Sequence, residues 1–362
     1  MIMNFRQDRH GGDIFRLSPE ERRDILDFSI NINPLGLSPR GAEALKKHWE
    51  EETLRYPDPF CRDLTAAFSA AFQTDPETEV FGNGATELIY LLPRVLRPKR
   101  LLVPAPCFSE YGRAAAEAGI PVDSLPLSAE RGFQPEPGGI ARAAGTGTMI
   151  FWGHPNNPDG RLLTETEWEE MSSEAEARDN WIVLDESFIE FAGAGYSLRT
   201  RMNECSRLII LGSLTKFYAV PGLRIGYCLA PPDTAAELRG HLFPWNVGGP
   251  VQRYMTEAMQ DGEYRRKSVD FCRTEGRRLA EGLKKIPGLQ VFDSTANFIL
   301  CRILGDGADA AILQSKLEPH RLLIRQCANY EGLDRSYFRA AVKDRHSNDI
   351  LVKNLEGILS LK

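Results

Sequence analysis

Between residues 80 and 230 the chain alternates short apolar runs with stretches of helical spacing. The runs "RLLVPAP" (100–106), "GTMIFWGHP" (147–155), "NWIVLDES" (180–187), "RLIILGS" (207–213) and "RIGYCLA" (224–230) read as buried strands. An acidic helix lies between the second and third, and Thr164 with Glu167 forms the capping box that starts it. Strands separated by helices imply βαβ crossovers and a largely parallel sheet covered on both faces. Sheets of this kind bind ligands outside the carboxyl ends of their strands.

After residue 250 the pattern changes. A long basic amphipathic helix, "EYRRKSVDFCRTEGRRLAEGLKK" (263–285), leads into the strand-like runs "LQVF", "NFILCRI", "LLIRQC" and "YFRAAV", with helices between and after. The organisation expected is an α/β fold in three parts. Residues 1–45, rich in Gly, Pro and Asn, pack on a small domain and the site; residues 46–250 form a large domain; residues 251–362 form the small C-terminal α/β domain.

Composition narrows the function classes. The chain has 362 residues, 42% hydrophobic and 26% charged, with a net charge of -6. Nucleic acid and anionic membranes are therefore poor partners. No run of about 18 apolar residues is present, so no membrane span is expected. The opening "MIMNFRQDRHGG" has no apolar signal region. The seven cysteines lack any C-x-x-C pair, which speaks against a disulfide framework or a zinc cluster and for a reducing cytoplasm. No metal site is expected.

Several ready-made motifs are missing. "GNGATE" (82–87) carries Glu87 where a dinucleotide fingerprint needs its third glycine, and it lacks the lysine of a P-loop. What remains is a set of polar residues at strand ends. Each has an ordinary reading alone: Asp185 as a cap or ion-pair partner, "HPNNPDG" (154–160) as a turn, Lys216 as a snorkelling lysine. Together they suit a heteroaromatic aldehyde with a phosphate tail. A desolvated lysine can lose its proton and form a Schiff base with the aldehyde. A strand-end aspartate keeps the ring nitrogen protonated. Ser213, Thr215, Arg224 and the amides of "GAT" (84–86) can hold a phosphate, the last at a helix N-terminus.

The segments "NNPDG", "DESFIEF", "SLTK" and "GLRIG" resemble the fold type I enzymes that use pyridoxal 5'-phosphate (PLP), in particular the histidinol-phosphate aminotransferase group, and the similarity runs nearly end to end. The resemblance implies a mostly parallel central sheet flanked by helices, with Lys216 bonded to the cofactor and Asp185 on its ring nitrogen. It implies Asn157 on the ring hydroxyl and Phe108 stacked on the ring. Gly84, Ala85, Thr86, Ser213, Thr215 and Arg224 would grip the phosphate. Tyr56 in "RYPDP" would reach the neighbouring subunit's cofactor, which implies a homodimer. Phe188 stands where many aminotransferases carry a tyrosine that bonds the ring oxygen.

The substrate-facing segments "HGGDI" (10–14), "LDFSININPLG" (26–36), "LLIRQCANYEGLD" (322–334) and "YFRAAV" (337–342) are more similar to the L-threonine-O-3-phosphate decarboxylase family of cobalamin biosynthesis. That resemblance implies His10, Gly11, Asn31, Asn157, Arg325 and Arg339 as substrate contacts. It implies (R)-1-amino-2-propanol phosphate and CO2 as products, with L-serine O-phosphate as a further candidate substrate. The alternatives are a histidinol-phosphate or related aminotransferase and, more remotely, a regulator on the same fold without catalysis.

Overall fold

The computed structural model describes residues 10–12, 14–15 and 18–360, so the first nine residues of the N-terminal segment lie outside the described residues. The first strand, β1 (Leu26–Asp27), is only two residues long. Seven strands then build the large sheet: β2 (Glu79–Gly82), β3 (Arg100–Ala105), β4 (Val122–Pro126), β5 (Thr148–Gly153), β6 (Trp181–Asp185), β7 (Leu208–Ser213) and β8 (Gly226–Leu229). Their order across the sheet is β2-β8-β7-β6-β5-β3-β4. Strands β7, β6, β5, β3 and β4 are mutually parallel, whereas β8 runs antiparallel to both its neighbours.

All five expected strands form, and the sheet is buried on both faces. Successive side chains alternate between two apolar layers: Ile150, Trp152, Ile182, Leu184 and Ile210 enter one, and Met149, Phe151, Val183, Ile209 and Leu211 the other. This double burial explains the near-continuous apolar runs. The helix Glu165–Arg178 starts at the Thr164–Glu167 capping box, as its sequence requires. Two strands carry no such signal. "EVFG" is short and holds a glutamate, and "VDSLP" is a half-exposed edge.

The C-terminal sheet contains β9 (Leu289–Val291), β10 (Phe298–Ile303), β12 (Arg325–Gln326) and β13 (Tyr337–Ala341), in the antiparallel order β12-β13-β10-β9. Between β10 and β12, the short strand β11 (Leu322–Leu323) pairs in parallel with β1, which ties the N-terminal segment to this part of the chain. Its core joins Phe298's neighbours Ile299 and Cys301 with Phe338, Ala340 and Leu351, beneath the helices Gly262–Lys284 and Arg345–Leu359. Among the described residues no helix is long and apolar enough to cross a membrane.

Candidate active site

Topology alone gathers six chain segments at one edge of the large sheet. Parallel register places Gly153 opposite Asp185 and Asp185 opposite Leu211, so the carboxyl ends of β5, β6 and β7 are level. Strand β2 ends at the same edge, and β8, running the other way, begins there. Asn157 therefore follows β5, Asp185 closes β6, Ser213 closes β7, Arg224 precedes β8, and Phe108 follows β3. The helix Ala85–Leu96 starts just after β2. Ala85, Thr86, Phe108, Asn157, Asp185, Ser213, Lys216 and Arg224 line one cavity, together with Tyr111, Ser187 and Phe188.

Lys216 sits in the single helical turn Leu214–Phe217 that follows β7. Burial is the largest influence on its ammonium and pushes it down to about 8; Arg224 and Arg339 act the same way, and Asp185 opposes them. Its Nζ lies 4.8 Å from the centre of the Phe188 ring, a cation–π contact that needs no hydroxyl on that ring. The Phe188 side chain is buried and meets Phe298 edge-on. Asp185 is buried too, yet both carboxylate oxygens have donors. The Tyr111 hydroxyl donates to Oδ2 at 2.7 Å and the Ser187 amide to Oδ1 at 2.9 Å.

At the sheet's β2 side the geometry suits a phosphate. Helix Ala85–Leu96 has no side chain capping its first amides, because its cap residue is Gly84 at φ 80°. A β-carbon on Gly84 would lie 2.5 Å from Arg224 Nη2, and its positive φ disfavours any side chain, so glycine lets the guanidinium and the helix N-terminus share that space. Arg224 itself has φ 59°. The Thr215 hydroxyl donates to Ile225 O at 3.0 Å and accepts from Ile225 N at 3.2 Å, so it braces the turn that carries Arg224. These residues fit PLP: uncapped amides and a guanidinium for its phosphate, a buried carboxylate for its ring nitrogen, and a lysine of lowered pKa for its aldehyde.

The substrate candidates form a second layer on the C-terminal sheet. Arg325 and Arg339 face each other across β12 and β13, and both are buried. Arg339 donates to Asn157 Oδ1 and lies 4.8 Å from the Phe298 ring centre. Asn31, with its amide oxygen turned to Arg339, accepts from Nη2 at 3.1 Å and Nη1 at 3.2 Å. Arg325 donates to Asn329 Oδ1 at 2.8 Å and lies 5.3 Å from the Tyr330 ring centre. Burial pushes the Arg339 guanidinium below its usual range. Among the described residues neither arginine has a carboxylate within ion-pair distance. Two like charges directly opposed in a buried ladder are unfavourable unless an anion joins them.

Asn157 connects the two layers. Its Oδ1 accepts from Arg339 and from the Tyr330 hydroxyl at 3.1 Å, while its Nδ2 has no protein partner among the described residues. His10 and Gly11 approach from the N-terminal segment, with His10 Nε2 3.0 Å from Glu110 Oε1. Tyr56 stands apart from this chain's cavity, 80% exposed, with its ring centre 4.7 Å from that of Trp245 in a tilted contact.

Sequence reasoning missed Tyr111 and Tyr330. Tyr330 lies within "LLIRQCANYEGLD" and Tyr111 three residues after Phe108, but a tyrosine at either place has no spacing that marks it as a hydrogen-bond donor to a distant side chain. Glu110 was missed for the same reason.

Residues 23–355 match the model of the aminotransferase class I and II family. The threonine-phosphate decarboxylase of Salmonella typhimurium is 33% identical over 97% of this chain and 96% of its own length. The histidinol-phosphate aminotransferase of Roseiflexus castenholzii is also 33% identical, over 94% of this chain and 91% of its own. Among solved structures, L-threonine-O-3-phosphate decarboxylase from Porphyromonas gingivalis superposes with a TM-score of 0.81 at 25% identity, covering 92% of this chain and 99% of that one. Identity alone does not separate decarboxylase from aminotransferase, so the choice rests on the second layer of the site.

Proposed function

The chain belongs to the aminotransferase class I and II family, and from that premise we propose that it decarboxylates L-threonine O-3-phosphate with pyridoxal 5'-phosphate as cofactor. The products are (R)-1-amino-2-propanol phosphate, a building block for the nucleotide loop of cobalamin, and CO2. The observation that carries this reading is the buried pair Arg325 and Arg339, opposed across two strands without a carboxylate partner among the described residues. A phosphate dianion supplies the charge that pair lacks, through charge-assisted hydrogen bonds from the guanidiniums.

When bound, the cofactor supplies an electron sink for whichever bond at the substrate's α-carbon stands perpendicular to its ring. The protein selects that bond by orientation. Asp185 holds the proton on the ring nitrogen, and Tyr111 and Ser187 fix the carboxylate for that task. The amides of Ala85 and Thr86, with Ser213 and Arg224, hold the phosphate of the cofactor, and Thr215 steadies Arg224. Asn157 donates from its free Nδ2 to the ring oxygen while its Oδ1 orients Arg339.

Arg325, Arg339, Asn31, His10 and Gly11 hold the phosphorylated side chain of the substrate. Arg339 is thereby occupied, and the α-carboxylate is left free to turn perpendicular and depart as CO2. The bonding pair of the broken C–C bond remains with the α-carbon, and a proton must replace the carboxylate there. Lys216 Nζ, with a pKa of about 8, can give and take that proton near neutral pH.

The functional unit is a homodimer. Tyr56 and Trp245 are exposed in mutual contact, an aromatic pair suited to a second copy that would receive Tyr56 at its own cofactor phosphate. All seven cysteines are free, which fits a reducing cytoplasm.

The test is to omit any 2-oxo acid acceptor. CO2 released in step with loss of threonine phosphate supports decarboxylation. Turnover that depends on the acceptor, without CO2, supports an aminotransferase acting on histidinol phosphate.

A further inference from the structure

Glu110 opens the helix Glu110–Glu117, two residues after Phe108, and is buried at a position where helix glutamates usually meet water. Its Oε2 accepts from the Tyr90 hydroxyl at 2.7 Å, and its Oε1 accepts from Arg113 Nη1 at 3.0 Å. The remaining donor is His10 Nε2, 3.0 Å from Oε1. Burial works to raise the Glu110 carboxyl, but hydrogen bonds from His10 and Tyr90 and the Arg113 charge outweigh it and hold it at about 2. The group is therefore an anion at any ordinary pH.

The other end of the same short segment is fastened to the C-terminal side of the cavity. The Gly12 amide donates to Ser29 Oγ at 2.8 Å, and a β-carbon on Gly11 would lie 2.2 Å from Ser29 O. Ser29 O also accepts from Arg339 Nη2 at 3.4 Å. The His10 ring lies 5.8 Å from the Phe108 ring. Residues 10–12 thus run from Glu110, beside Phe108, to Ser29, beside Arg339.

We propose that Glu110 is a positioning residue, whose carboxylate fastens His10 as a strap between the Phe108 and Arg339 sides of the cavity. Because a carboxylate accepts from Nε2, that nitrogen carries hydrogen, and the donor left for the phosphate of the substrate is Nδ1–H of the imidazolium. Nδ1 has no partner among the described residues. The inference deepens the proposed function and rests on it only for the identity of the substrate.

The experiment uses holoenzyme and the variants Glu110→Gln, His10→Ala, their double mutant and Tyr90→Phe. Glu110→Gln raises KM for threonine phosphate about tenfold, the scale of one charge-assisted hydrogen bond, with kcat within about twofold. His10→Ala has a similar effect, and the double mutant is no worse than the more impaired single variant. Tyr90→Phe, which keeps the contact to His10, leaves KM near wild type. Hydrogen exchange at the Gly12 amide accelerates in Glu110→Gln before substrate is added. Additive losses, an unchanged KM, or unchanged exchange at Gly12 overturn the proposal. Should Glu110→Gln fail to fold, His10→Ala with Glu110→Asp carries the same comparison. A wild-type enzyme that releases no CO2 refutes the decarboxylase reading, while exchange at Gly12 still decides the strap.

Discussion

The two proposed anion sites of this protein hold charge by opposite means. At the β2 side of the large sheet the positive potential is spread over uncapped helix amides and an exposed Arg224. Nothing there is strongly destabilised before a phosphate arrives, because water can reach the charge. On the C-terminal sheet, two guanidiniums are buried across from each other and, among the described residues, meet only neutral oxygens and aromatic rings. That arrangement resists burial until an anion enters. The cofactor is a permanent guest and needs only a cradle. The substrate comes and goes, and a charged pocket that gains stability on filling can tell a phosphorylated substrate from one without phosphate.

Changing the shared chemistry has the largest effect. Lys216→Ala abolishes both the visible absorbance of the bound cofactor and turnover. Its failure to do either contradicts the assignment of Lys216. Next comes the arginine pair. Arg339→Met weakens threonine phosphate by about 2–5 kcal/mol, read from KM or substrate titration. The same variant keeps or raises the unfolding temperature of the substrate-free protein, since a buried charge without a counterion has been removed. An equal loss of stability and of binding would erase the contrast between the two sites.

The cradle should respond more gently. Gly84→Ala strains a positive φ and pushes on Arg224, and so costs about 1–2 kcal/mol of cofactor affinity with little change in substrate KM. The last effect appears only as pH changes. The folded pKa of Lys216, about 8, lies below its ordinary 10.5, so the folded protein binds fewer protons there than the unfolded chain. Cofactor-free protein therefore gains stability as pH rises from about 8 to 10.5, and Lys216→Met lacks that gain. Parallel denaturation curves for the two proteins across the window would contradict it.

The same contrast explains what could be read from sequence. The cradle is written in contiguous motifs, because each motif marks the end of one strand and topology brings the ends together. Asp185, Ser213 and Lys216 needed no knowledge of long-range packing beyond strand order. Arg325 and Arg339 were legible only through resemblance, since nothing local marks an arginine as buried and unpaired. Tyr111, Tyr330 and Glu110 were illegible for a related reason. Their partners, Asp185, Asn157 and His10, are 74, 173 and 100 residues away. Strand β2 escaped notice because it is four residues long and opens on a glutamate, and β4 because its half-exposed edge lacks the double burial that writes an apolar run. The Thr215 hydroxyl was expected at the phosphate, and the structure turns it to Ile225, a choice set by the left-handed turn at Arg224.

The central claim is that the protein presents the bond to the carboxylate, not the bond to hydrogen, for cleavage at the α-carbon. Threonine phosphate carrying deuterium on that carbon tests it, with 2-oxoglutarate present so that either reaction can run. The account predicts aminopropanol phosphate that keeps the deuterium and has gained one solvent hydrogen beside it. Loss of the label to water, with formation of glutamate, would contradict it.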